Sequence, residues 1–148
     1  MSYLPEGLVI DFVSVVCALF AVWKGSAAER VAAVVVIVNI VIGDTGRVIA
    51  PGGDSIIRLV NDGLTALLLL GVTIRYGALW MGGVMLFFAA QFSLHSFYLV
   101  TERPHDFLHA LINNIDFSGI ILCLIAGTVV AWRRRLRADR PIRDPAPL

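Results

Sequence analysis

Between Tyr76 and Thr101 the chain runs without a single Asp, Glu, Lys or Arg, and the stretch exceeds the roughly 20 apolar residues a helix needs to cross a bilayer. In lipid, backbone N–H and C=O groups must be satisfied within the segment itself, so a run of this kind is expected as a transmembrane helix. Composition extends the reading to the whole chain. Of 148 residues, 58% are hydrophobic and 16% charged, against roughly 45–50% and about 25% for soluble domains. Disorder, a collagen repeat, a disulfide scaffold and a nucleic-acid-binding domain are disfavoured by the same figures. Cys17 and Cys123 each lie inside an apolar run with no CxxC partner, which reads as small buried hydrophobes.

The expected fold class is an all-α integral membrane protein with five transmembrane helices over residues 4–23, 31–50, 56–74, 78–101 and 106–132. Turn signals separate them: Lys24, Gly25 and Ser26; Pro51 to Asp54; Arg75 to Gly77; and Glu102, Arg103 and Pro104. Residues 1–136 read as one bundle and 137–148 as a basic, Pro-containing tail. Basic residues are retained on the cytoplasmic side, and Arg133, Arg134, Arg135, Arg137, Arg140 and Arg143 crowd the C-terminal stretch. Five crossings then place the C-terminus in the cytoplasm and the N-terminus outside. Lys24, Arg30 and Arg75 fall inside with the tail, whereas only Arg47, Arg58 and Arg103 fall outside. Most acids run the opposite way. Multi-pass insertion in a bacterial inner membrane is the matching localisation.

At about 1.5 Å of rise per residue, Asp11, Asp44, Asp62, His95 and His109 come to lie at similar depth in the outer half, one from each helix. Asn39, Gln91, Asn113 and Asp116 lie deeper. Helical spacing aligns these groups into one stripe per helix: His105, His109, Asn113 and Asp116 on the fifth, and Gln91, His95, Tyr98 and Glu102 on the fourth. Arg58, Asp62 and Thr65 align on the third, and Asn39, Gly43 and Arg47 on the second. Exposing Asp or Arg to lipid costs about 2.5–3.5 kcal/mol or more, so the stripes are expected to face inward. The predicted pocket comprises Asp11, Asn39, Arg47, Arg58, Asp62, Gln91, Glu102 and Asn113. Gly82, Gly83, Gly119 and Gly127 read as close helix contacts.

Several chemistries suit that layer. Interhelical glue in a non-enzymatic membrane component or accessory subunit is the plainest. A metal site would draw on His95, His109, Asp62, Asp116 and His105, residue types that zinc or iron accepts, with Glu102 or Asp11 as base for a hydrolase. Haem b between His95 and His109 would give electron transfer. A proton or ion relay, or a holin-like pore, would use the same ionisable groups. None of these rests on a motif of fixed spacing, so whether the chain is an enzyme stays open. Expected partners are the lipid bilayer, anionic headgroups at the basic tail and other membrane subunits, with no nucleic acid. Trp23, Trp80 and Trp132 read as interfacial anchors.

Overall fold

The computed structural model describes residues 4–49, 54–104 and 106–139. They form five helices: α1 (Leu4–Lys24), α2 (Ala27–Ile49), α3 (Asp54–Tyr76), α4 (Leu79–Val100) and α5 (Phe107–Ala138). Three stretches among the described residues, Ile56–Tyr76, Leu79–Val100 and Phe107–Ala138, are long and apolar enough to cross a membrane. In α2, the charged residues Glu29, Arg30, Asp44 and Arg47, with Asn39 and Thr45, interrupt the apolar sequence.

Two helices differ from their expected extents, each for a local reason. α2 starts at Ala27 rather than Val31 because Ser26 and Glu29 form half of a capping box. The Ser26 N–H donates to Glu29 Oε2 at 2.8 Å, satisfying one of the donors that a helix start leaves open. α5 continues through the arginine cluster to Ala138 instead of ending near Trp132, since Arg is a good helix former and neither Pro nor Gly intervenes before Asp139.

The short links at Gly25–Ser26 and Gly77–Ala78 make neighbouring helices antiparallel. α2, α3, α4 and α5 close a four-membered ring, and α1 packs into the seam between α2 and α5. The ends of α1 and α5 meet where Arg135 donates to the Lys24 carbonyl and Phe20 meets Trp132 edge to face. Lys24, Arg30, Arg75 and the α5 arginines sit at these helix ends, hereafter the basic end.

Toward the basic end the core is mostly apolar, with Ala18, Ala21, Ala33, Leu69, Met81, Val84, Phe88, Ile120 and Leu124 buried, and Glu29 and Thr128 buried among the helix ends. α4 and α5 interlock through glycine notches. A Cβ on Gly119 would lie 2.4–2.6 Å from Phe87 ring atoms, one on Gly127 2.6 Å from the Trp80 indole, and one on Gly83 2.7 Å from Cys123 Sγ. Gly82 departs from its expected role: it is exposed and a Cβ there would meet nothing within 4 Å.

Candidate functional site

In the half of the bundle away from the basic end lies a small cavity of about 70 Å³, to which all five helices contribute. Its lining includes Asp11 from α1, Asn39 and Asp44 from α2, Arg58, Asn61 and Asp62 from α3, Gln91 and His95 from α4, and Asn113 and Asn114 from α5. The stripes face inward because each polar residue shares an arc with core residues of its own helix. On α4, Gln91, His95 and Tyr98 are buried on the same face as Val84 and Phe88.

Asp62 is the hub. Its Oδ1 accepts from Asn39 Nδ2 at 3.2 Å, and its Oδ2 lies 2.6 Å from His95 Nδ1. Both side chains are nearly sealed, at 5% and 6% exposure for Asp62 and His95 respectively. The Asn39 amide also reaches Thr65 Oγ1 at 3.1 Å, and Asn61 donates to the Asn39 carbonyl at 2.9 Å, so α2 and α3 are laced together around the carboxylate. Gln91 donates to Asn113 Oδ1 at 3.3 Å, joining α4 to α5.

With Nδ1 engaged by the Asp62 carboxylate, Nε2 is the His95 ring nitrogen left to face the rest of the site. That Nε2 is buried without a hydrogen bond among the described residues, as are Gln91 Oε1 and Asp116 Oδ2. Buried polar atoms of this kind are costly, and three of them cluster on the α4–α5 side of the site.

The His109 ring stacks on His95 with centroids 5.3 Å apart and an interplanar angle of 27°, and Tyr98 meets it edge-on at 4.7 Å. Above them, Asp106 caps α5. Its Oδ1 accepts from the His109 N–H at 2.9 Å and from the Tyr98 hydroxyl at 2.7 Å. The His109 amide, then the Tyr98 hydroxyl, hold the Asp106 carboxyl below its ordinary value of 3.8.

Of the predicted pocket residues, Asp11, Asn39, Arg58, Asp62, Gln91 and Asn113 line the cavity together with His95. His109 and Asp116 are buried beside it without lining it. Glu102 is elsewhere: it is exposed in the turn after α4 at φ 50°, where a Schellman motif (Glu102 N–H to Leu99 O, Arg103 N–H to Tyr98 O) directs the chain away from the cavity. His105 and the Arg47 side chain lie outside the described residues. Asn61 and Asn114 went unpredicted, although each adjoins a predicted residue. A pair of adjacent polar residues in an apolar helix can address two neighbouring helices at once, and that was the available signal.

Among the described residues no group of three or more His, Cys, Asp or Glu is gathered so as to hold a metal ion. Axial ligation of haem needs two imidazole edges pointing at one iron from opposite sides of the macrocycle. The faces of His95 and His109 are turned to each other instead, at a spacing that leaves no slot for a porphyrin. No family model matches the chain, and neither a curated protein nor a solved structure matches it.

Proposed function

We propose that this chain is a five-span protein of the bacterial inner membrane, N-terminus outside and C-terminus cytoplasmic, and a non-enzymatic membrane component. Its Asp62–His95 pair takes up and returns a proton at a pocket in the outer half of the bilayer. The observation that carries the reading is the buried dyad itself, a carboxylate 2.6 Å from one imidazole nitrogen with the other nitrogen lacking a hydrogen-bond partner among the described residues. An intramembrane ionisable group is a functional site by default, and imidazole is the side chain that ordinarily exchanges protons near neutrality.

Size and shape agree. A space of about 70 Å³ admits a few waters, far less than the roughly 300–1,000 Å³ of small-molecule pockets, so water and protons suit it better than an organic substrate. The apolar core between the cavity and the basic end favours access from one side over a continuous pore. The five-span arrangement draws on the exteriors of α1 and α2, where Phe12, Val13, Val16 and Leu19, and Val34, Val38, Val41 and Ile42, are exposed. Contiguous apolar surface of that extent belongs in lipid.

The test is ¹⁵N NMR of histidine-labelled protein in nanodiscs. The expected result is that the His95 ring signals report gain and loss of a proton, and that this exchange is altered in Asp62→Asn. A His95 ring that keeps one protonation state throughout would reduce the dyad to interhelical glue. A second reading, a metal on His95 Nε2, is favoured by the carboxylate behind the ring, the arrangement that orients metal-bound histidines. Near-stoichiometric zinc or iron in the purified protein, lost in His95→Gln, would replace the proton reading.

A further inference from the structure

At the basic end, remote from Asp62, a cleft of about 780 Å³ opens between the start of α2, the α3–α4 turn and the last turns of α5. Its walls are held by a buried hydrogen-bond cluster. Glu29, only 4% exposed, accepts from the Trp80 indole at 3.0 Å through Oε1. Through Oε2 it accepts from the Ser26 N–H at 2.8 Å and from the Ser26 hydroxyl. The indole is thereby fixed over Gly127, the one residue type that leaves it room.

The lining changes character along α5. Ala126, Gly127, Val130 and Ala131 make an apolar wall, and one turn further Arg134 and Arg135 stand at the mouth. α5 carries no charged residue from Phe117 to Trp132 and is strongly basic from Arg133, so the cleft straddles the level where hydrocarbon gives way to headgroups. Both Glu29 oxygens are already engaged with donors inside the wall, and the mouth carries two guanidiniums, which leaves it net positive.

We infer that this cleft binds one anionic phospholipid, with the phosphate on Arg134 and Arg135 and an acyl chain against the α5 wall. The volume lies within the roughly 300–1,000 Å³ of built ligand sites. Basic pockets between membrane helices on the cytoplasmic side favour acidic headgroups, and arginine forks match phosphate oxygens. A free phosphate would use the mouth and leave the apolar wall wet. The lipid's two-part chemistry covers both.

The experiment is native mass spectrometry of the full chain released from micelles containing equal phosphatidylglycerol and phosphatidylcholine. One phosphatidylglycerol is expected to be retained in preference to phosphatidylcholine. Arg134→Gln, an exposed change, lowers that retention about fivefold, the loss of one near-surface charge interaction. Ala131→Phe fills the cleft and removes the adduct with every arginine in place. Arg133→Gln and Arg137→Gln, off the cleft on the same helix, leave the preference intact. Equal retention of the two lipids, an equal loss in the Arg133 and Arg137 variants, or displacement of the adduct by inorganic phosphate would each overturn the assignment.

Discussion

Asp62 and His95 are both nearly sealed from solvent, so removing one partner costs more than removing both. Asp62→Ala strands the His95 and Asn39 donors and is expected to destabilise by about 3–5 kcal/mol, as breaking a buried pair does. The doubly apolar Asp62→Leu, His95→Phe variant is expected to recover the share of that loss due to His95, because its donor is gone while only the Asn39 amide stays short of one acceptor. Chemical unfolding in detergent checks both, and a double variant as unstable as the single one would contradict the pairing. Asp106 gives a pH dependence of definite sign. Its carboxyl is held below 3.8 by the His109 amide and the Tyr98 hydroxyl, so its contribution is complete above the unfolded value. That contribution is lost as pH falls through the lower folded value. Protection of the His109 amide from hydrogen exchange, measured relative to the intrinsic rate at each pH, should therefore fall on acidification below about pH 4, and Asp106→Asn, which keeps a capping side chain, should flatten the response. Most of these site residues were legible from spacing alone. The Asp62–His95 and Tyr98–Asp106 bonds were not, because depth along a helix says nothing of which neighbour stands opposite.

Between elements, α4 and α5 offer the sharpest contrast on adjacent residues. Gly83 receives Cys123, and Gly119 lies under Phe87, whereas Gly82 faces outward. Gly119→Ala must drive the Phe87 ring off its seat, which is expected to cost about 1–3 kcal/mol by overpacking. Gly82→Ala meets nothing and is expected to be neutral or to add up to about 1 kcal/mol through helix propensity. Thermal unfolding of the two variants side by side decides the point, and equal effects would mean that the notches do not set the helix spacing. Glycine content pointed to close helix contact without choosing between Gly82 and Gly83, since consecutive helical residues diverge by about 100°. The start of α2 was open to reading, as Ser26 and Glu29 have capping-box spacing. The continuation of α5 past Trp132 was hidden by the habit of ending a span where charge begins.

Across the whole molecule the charge distribution and the packing make one argument about orientation. Hydropathy along the chain supplied the helix count, but a linear pattern cannot tell that α5 crosses to α2 and that α1 seals their seam. That arrangement makes α1 and α5 parallel and brings Lys24 beside Arg135. The basic residues, scattered in sequence, thus converge on one end, which in the proposed orientation faces the cytoplasm. In that orientation the polar cavity lies in the half of the bundle away from the cytoplasm, and the side with which it exchanges protons depends on the assignment. Cysteine labelling with a membrane-impermeant maleimide tests it, because Cys17 and Cys123 lie among apolar neighbours within the bundle. Glu102→Cys, in the exposed turn after α4, should label in intact cells. Leu136→Cys, exposed on the last turns of α5, should label only after permeabilisation. An epitope placed before Met1 should be reached from outside, since five crossings put the two termini on opposite faces. Epitope and Leu136→Cys on the same face would leave an even number of spans and remove α1 or α2 from the membrane. A full reversal of the pattern would keep five spans but turn the Asp62 pocket toward the cytoplasm, where the same dyad would answer to internal pH.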